Sequence, residues 1–151
     1  MADPVELVTR MFEMFSSGDT TDAEQIVTEV YDEHGIAPFS TTEPGRVEGA
    51  PQLRSTVSWL RAQFPDLQMS IEAIVTEGDL TAVRVFTTGT NLGSLNGIIP
   101  PTGRQFGSRQ SHWFRVSDGR LAEHWATRHD LTTMIQVGLI TPPGAPVPPH
   151  P

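Results

Sequence analysis

The stretch Gln105–Asp130, QFGSRQSHWFRVSDGRLAEHWATRHD, decides how the rest of the chain can be arranged. We predict a strand over Gln105–Val116 and a second one over Arg120–Arg128. Between them, residues 117–119 are Ser-Asp-Gly, which is typical of a tight turn. We therefore predict a β-hairpin in which the two segments are antiparallel partners.

The length of this turn decides which side chains of the two strands share a face. If Asp118-Gly119 forms a two-residue type I′ turn, Ser117 pairs with Arg120. His112 and His124 then point to opposite faces of the sheet, because side chains alternate along a strand.

A three-residue loop gives the other outcome, and it is the one we predict. With a type I turn and Gly119 in the left-handed conformation, Val116 pairs with Arg120. His112 then faces His124 across the hairpin, and Gln110 faces Ala126. The residues expected on one concave face are Arg84, Gln110, His112, His124 and Ala126.

Helices come before the strands, and a short helix follows them. Caps and apolar spacing predict a first helix from Asp3 to Gly18, a second from Thr21 through Tyr31, and a third from Pro51 to Phe64. Strands are predicted over 67–73 and 81–90, and Asp130 is expected to cap a last helix. The order indicates an α+β fold, a curved antiparallel sheet packed against N-terminal helices.

Composition and charge exclude several classes of site and partner. The 151 residues include no cysteine, which excludes a disulfide scaffold, a thiolate metal site and a cysteine nucleophile. The formal net charge of −8 provides no basic surface for nucleic acid or for an anionic membrane. The first residues lack the basic and apolar segments of a secretory signal, so we expect a cytoplasmic protein.

Several motifs in a fixed order resemble one known family. They are Phe64-Pro65-Asp66-Leu67, Glu77-Gly78-Asp79, Val83-Arg84-Val85, GIIPPTG at 97–103 and FRVSDGRLAEHW at 114–125. Together they resemble the SnoaL-like polyketide cyclase family of the nuclear transport factor 2-like superfamily. The resemblance implies a single domain over 1–140 with a cone-shaped apolar pocket. Residues 141–151 include six prolines and are predicted to form a flexible tail.

The resemblance also implies a reaction, the closure of a ring by intramolecular aldol condensation without a metal or an organic cofactor. This chemistry needs a base beside a carbonyl and donors for the enolate oxygen. In the family the base is usually a carboxylate directly after the tryptophan of the last strand, which is Trp125 here. Ala126 occupies that position, so the base lies elsewhere or the aldol mechanism is absent.

Histidine and arginine can take over proton transfer and oxygen binding. We predict His112 and His124 as catalytic bases or donors, and Arg84 as a catalytic group that holds an enolate or carboxylate oxygen. The structural alternatives are histidines hydrogen-bonded within the sheet, and a salt bridge of Arg84 with Glu72 or Glu123. We predict no metal site. The predicted substrate-binding residues are Phe39, Trp59, Met69, Phe86, Gln110, Phe114, Ala126 and Arg128.

Other carboxylates are weaker candidates for the missing base. Asp32 and Glu33 lie near the end of the predicted second helix, where a solvated face is expected. The leading hypothesis is therefore a cofactor-independent polyketide-tailoring cyclase of aldol or cycloaddition type, acting on a hydrophobic intermediate. The alternatives are a polyketide hydroxylase or epoxide hydrolase of the same fold, and a non-catalytic module that binds a small ligand.

A homodimer is also expected. If Arg84 and Phe86 face the cavity, Val83 and Val85 lie with Trp125 on the convex face of the sheet, where no helix covers them. An exposed apolar face of this kind usually marks an interface. The family resemblance likewise implies pairing through the sheets, with Trp125 at or near the contact.

Overall fold

A six-stranded sheet with helices on one face forms the fold, and it confirms the predicted α+β class. The computed structural model describes residues 2–36, 38–39 and 43–144. The helices are α1 (Pro4–Ser17), α2 (Ala23–Ile26), α3 (Gly49–Gln63) and α4 (Asp130–Gln136). The strands are β1 (Val27–Glu33), β2 (Gly45–Glu48), β3 (Gln68–Glu77), β4 (Leu80–Thr90), β5 (Gln105–Ser117) and β6 (Arg120–Arg128), in the spatial order β2-β1-β6-β5-β4-β3.

Helix α1 begins and ends where the sequence predicts. The Asp3 side chain accepts a hydrogen bond from the Val5 N–H at 3.0 Å, and Pro4 opens the helix. Gly18 ends it with a φ of 81°, and its N–H donates to the Met14 carbonyl. The apolar side of α1 packs on one face of the sheet, which we call the inner face; the opposite one is the outer face.

The second predicted helix is wrong over most of its length. Helix α2 covers only Ala23–Ile26, and β1 begins at Val27. Strand β1 pairs in parallel with β6 and antiparallel with β2, so the sheet is not antiparallel throughout. Val27, Val30 and Tyr31 have side chains that suit a strand, and both partner strands are available to pair with it.

The turn between β5 and β6 has two residues, so the predicted three-residue loop is wrong. Asp118 and Gly119 have φ values of 50° and 72°, as a type I′ turn requires. Ser117 pairs with Arg120, and Val116 does not.

A β-bulge in β6 nevertheless brings both histidines to the inner face. Val116 pairs with Leu121 while Arg115 pairs with Glu123, so Ala122 is an extra residue on β6. One extra residue reverses the facing of every later side chain of the strand. The cross-strand pairs beyond the bulge are Gln110–Arg128, His112–Ala126 and Phe114–His124.

Strand β4 faces the opposite way to the prediction. Val83 and Val85 are buried in the core of the inner face. Arg84 and Phe86 therefore point to the outer face, and their predicted place in the cavity is wrong. The physical reason is that two β-branched apolar side chains bury apolar surface against the helices, while the arginine reaches solvent and a carboxylate.

The predicted tail is only partly described. Its residues 141–144 are exposed, and 145–151 lie outside the described residues. In the described part of the chain, every helix is too short or too polar to cross a membrane.

Phe114 and Trp113 are neighbours on β5 that point to opposite faces, which provides a matched test of the core. Phe114 is 1% exposed and Trp113 is 43% exposed. We expect Phe114→Ala to lower the free energy of unfolding by about 3–5 kcal/mol, because it leaves a hole in the core. Trp113→Ala should lower it by about 1 kcal/mol or less. Urea unfolding followed by circular dichroism measures both, and equal losses would contradict this assignment of the faces.

Candidate functional site

A cavity of about 110 Å³ lies between the inner face of the sheet and helices α1 and α3. Most of its wall is apolar, as in sites that bind small hydrophobic molecules. The apolar wall includes Phe12, Phe15, Leu53, Leu60, Phe64 and Phe106.

Polar side chains enter this cavity from three neighbouring strands. Tyr31 comes from β1, Gln110 and His112 from β5, and His124 and Arg128 from β6. These strands are adjacent in the order β1-β6-β5, so these polar side chains form one cluster on a mostly apolar wall.

His112 is buried, and both of its ring nitrogens are hydrogen-bonded. Nδ1 lies 2.8 Å from Nε2 of His124, and Nε2 lies 2.8 Å from Oε1 of Gln110. The Phe12 ring packs edge-on against the imidazole, with 5.1 Å between centroids. Burial, with the positive charges of His124 and Arg128, holds the pKa of His112 well below its usual value. His112 is therefore a neutral imidazole at neutral pH.

Glu33 extends the hydrogen bonds beyond His124. Nδ1 of His124 lies 2.8 Å from Oε1 of Glu33, and both side chains are 14% exposed. Burial raises the pKa of Glu33, but the hydrogen bond and the charge of His124 outweigh it, so the pKa is lowered and the carboxyl is ionised. We call the series Glu33, His124, His112 and Gln110 the histidine chain.

Tyr31 offers the cavity a neutral donor. Burial, followed by the negative charges of Glu33 and Glu123, raises the pKa of the Tyr31 phenol well above its usual value, so the hydroxyl stays protonated. Among the described residues, none forms a hydrogen bond with this hydroxyl.

Arg128 lines the cavity, and hydrogen bonds to two residues hold its guanidinium. Its Nε donates to Asp130 at 3.1 Å, and its Nη2 donates to the Ile36 carbonyl at 2.6 Å. The prediction that Asp130 caps α4 is wrong. Asp130 is the first residue of the helix, and its carboxylate pairs with Arg128. Within the described ranges, Nη1 of Arg128 has no acceptor.

Most of the predicted site residues come together in the cavity. Ala126 lies on the inner face as the cross-strand partner of His112, outside the cavity lining. The predicted residues that line the cavity are Phe39, Met69, Gln110, His112, Phe114, His124 and Arg128.

Three predicted residues lie elsewhere. Arg84 donates to Glu72 at 3.2 Å on the outer face, which is the structural alternative that the sequence left open. Phe86 packs on the same face under the guanidinium of Arg109, with 5.0 Å from its carbon to the ring centroid. Trp59 packs against a second apolar cluster instead. The face of α3 that lines the cavity carries Leu53, Thr56 and Leu60, which are three or four residues apart, and Trp59 is not on that face.

Sequence reasoning missed Tyr31 as a site residue, and it ranked Glu33 only as a weaker candidate with an expected solvated face. The sequence predicted Tyr31 and Glu33 at the end of a helix. They lie on β1 instead, where side chains alternate between the two faces of the sheet, so both point to the inner face. Glu33 is the parallel-register partner of His124, which is 91 residues away in the sequence. The β-branched run before Tyr31 could have indicated a strand, but nothing in the sequence indicated its partner.

The low pKa of His112 predicts acid sensitivity. An unfolded histidine titrates at about pH 6.5, where folded His112 is still neutral, so below this pH only the unfolded state gains the proton. Stability is then lost as the pH falls, by up to about 1.4 kcal/mol per pH unit from this group. We expect His112→Asn to show a shallower loss from about pH 6.5 to 5 in urea titrations. The control is His34→Asn on the outer face; equal slopes for His112→Asn and wild type would contradict the prediction.

Comparison with known proteins identifies the family. A family model described as SnoaL-like polyketide cyclase matches residues 5–137. The chain is 31% identical to the aklanonic acid methyl ester cyclase DauD of Streptomyces sp. (strain C5), covering 100% of this chain and 93% of that protein. It is 30% identical to the nogalonic acid methyl ester cyclase of Streptomyces nogalater, covering 76% and 81%. The crystal structure of wild-type IdmH from Streptomyces antibioticus matches with a TM-score of 0.74 and 30% identity, covering 90% and 99%. The chain belongs to the SnoaL-like polyketide cyclase family.

Proposed function

We propose that this protein is a cofactor-independent polyketide-tailoring cyclase that closes a ring in a hydrophobic intermediate. Family membership supports the proposal, as do relatives named as cyclases of aklanonic acid methyl ester and nogalonic acid methyl ester. The observation that carries it is the neutral imidazole of His112 in the wall of an apolar cavity. Fused apolar rings suit such a wall, and the histidine meets their polar edge.

His112 is the proposed base of an aldol ring closure. Its Nε2 takes a proton from a carbon beside a carbonyl, and the enolate carbon attacks a second carbonyl of the same molecule. The new C–C bond leaves an alkoxide, which takes the proton back from Nε2. Gln110 yields its hydrogen bond with Nε2 when the substrate arrives. Atoms and charges balance between the substrate and His112, so the step consumes no co-reactant.

Tyr31 and Arg128 are the proposed donors to the enolate oxygen. Both line the cavity, and each has N–H or O–H groups without an acceptor among the described residues. A neutral phenol and a fixed guanidinium stabilise a developing negative charge without a reorganisation step. Arg128 thus takes the oxygen-binding role that the sequence analysis gave to Arg84.

A cycloaddition-type ring closure is the second candidate. A pericyclic reaction depends on the shape that holds the reacting ends together, and it needs no base. Ala126 at the usual base position and the largely apolar wall both favour this reading. The two candidates differ in their dependence on His112, which only the aldol reaction uses as a base.

The mass of the product separates ring closure from the other activities of this fold. Incubation with aklanonic acid methyl ester, the compound named for a relative, is expected to give a product of unchanged mass and altered retention time. A hydroxylase would add one oxygen atom, and an epoxide hydrolase would add one molecule of water. A binding module would return the compound unaltered, and that outcome would contradict the proposal if it recurred with nogalonic acid methyl ester.

Removal of the imidazole tests the aldol route. We expect His112→Ala to lower kcat by roughly 10²–10⁴-fold, the usual contribution of general base catalysis, while the fold is retained. The controls are His34→Ala and Arg84→Ala on the outer face, which should turn over like the wild type. Single-turnover kinetics with circular dichroism of each variant measure this. Near-wild-type turnover by His112→Ala would exclude His112 as the base of an aldol reaction and favour cycloaddition.

A homodimer and a cytoplasmic location stay predictions. Trp125 lies on the outer face as the cross-strand partner of Trp113, and Val75 on the same face is 66% exposed. Val83 and Val85, which were expected to contribute, are buried instead. An aromatic pair on an uncovered sheet face supports an interface with a second copy.

Light scattering tests the dimer. We expect a dimer at micromolar concentration and a monomer for Trp113→Glu, because the substitution places a charge in the proposed contact. Leu131→Glu, at an exposed position of α4 away from the outer face, measures the effect of added charge alone. A monomeric wild type at micromolar concentration would contradict the dimer.

A further inference from the structure

We infer that Glu33 is the positioning carboxylate of this site: through His124, it orients His112 and stabilises the proton that His112 takes up. The inference rests on the proposed function. It assigns a role to a carboxylate that lies on a different strand from the usual acid position of the family. That position is Ala126, directly across the hairpin from His112. Glu33 approaches from the other side, on the parallel strand β1.

The geometry is a series of three short contacts. They join Glu33 to His124, His124 to His112, and His112 to Gln110, each at 2.8 Å between heavy atoms. The two imidazoles are nearly parallel, with an interplanar angle of 14°. Every ring nitrogen of the pair therefore has one partner, and the series connects the cavity with a largely buried carboxylate.

Counting protons along the histidine chain gives two states in which His112 is neutral. The Glu33 carboxylate only accepts, so Nδ1 of His124 carries a proton in both. In the first state the proton between the rings is on Nδ1 of His112, both rings are neutral, and Nε2 of His112 presents a lone pair to the amide N–H of Gln110. In the second state Nε2 of His112 donates to the Gln110 oxygen, and His124 is an imidazolium beside Glu33.

Uptake of one substrate proton converts the first state into the second. The proton enters at Nε2 of His112, and the proton between the rings moves from Nδ1 of His112 to Nε2 of His124. The positive charge is then on His124, paired with Glu33, and His112 is neutral again. Return of the proton to the alkoxide restores the first state. The structure has Oε1 of Gln110 directed at Nε2, which is the arrangement of the second state.

Other charged groups near the pair do not replace Glu33. Arg128 on β6 opposes protonation of His112, and Tyr31 on β1 is a neutral phenol. From α1, the group that packs on His112 is the apolar Phe12. Glu123 and His34 pair with each other at 3.0 Å.

Glu33→Gln tests the role of the charge while keeping the shape. The amide oxygen can still accept from His124 and from the Gly35 N–H, which Glu33 also binds at 2.6 Å. We expect kcat to fall about 10- to 100-fold with KM unchanged, because an uncharged acceptor stabilises the imidazolium less. The acid limb of the kcat/KM profile should move to lower pH, because the pair holds its extra proton less tightly. Glu33→Asp should recover part of the rate.

The matched control is Glu123→Gln, which removes the carboxylate of a second histidine pair, His34 and Glu123, outside the cavity. It should keep the kcat and the acid limb of the wild type. An acid limb that stays in place in Glu33→Gln would overturn the inference, whether or not the rate falls, because a merely structural role changes the rate without moving the titration.

A readout without turnover separates this inference from the proposed function. NMR of the ring nitrogens reports which imidazole carries the extra proton. In the wild type we expect the pair to gain one proton as the pH falls, and in Glu33→Gln we expect that step at lower pH. If this shift appears while the wild type closes no ring, the proposed function fails and the positioning role stands. If the step is the same in both proteins, the positioning role fails.

Discussion

The hydrogen bond between the rings of His112 and His124 is the interaction on which the site depends. An imidazole nitrogen left without a partner in an apolar cavity costs about 1–3 kcal/mol, so two largely buried histidines in contact need a further partner at each outer end. Gln110 supplies one from β5, and Glu33 supplies the other from β1. The arrangement therefore requires β1, β6 and β5 to be adjacent, and these are the three neighbouring strands that the sheet provides.

Local sequence was enough to predict most of the elements but not the register that builds the site. Strand β6 has the predicted bounds, and α1 has the predicted caps, because these depend on neighbouring residues. The histidines share a face, as predicted, for a different reason than the one proposed. Ser-Asp-Gly is compatible with a two-residue or a three-residue turn, and the bulge at Ala122 compensates for the shorter one. A bulge depends on how Val116 and Leu121 pack, which is a tertiary property.

The two largest errors, at β4 and β1, have a common cause. In the run Val83-Arg84-Val85-Phe86, the side chains alternate between the two faces of the sheet, and the sequence does not say which pair is buried. The packing of the helices on the two valines decides it. Likewise, β1 becomes a strand because β6 and β2 pair with it. Long-range pairing therefore took Arg84 out of the predicted site and brought Glu33 into it.

In the proposed aldol reaction, a carboxylate on β1 instead of at position 126 changes the electrostatics of base catalysis. A carboxylate base beside the substrate is negative before the reaction and neutral after it, so it leaves the enolate without a positive neighbour. A neutral His112 becomes part of a cationic pair when it takes the proton, and opposite charges attract strongly in a cavity of low dielectric constant. Glu33 compensates that cation one imidazole further away. In this proposal the negative charge of Glu33 thus stays away from the enolate, and the polar groups offered to the reacting atoms are neutral or cationic: His112, Tyr31 and Arg128.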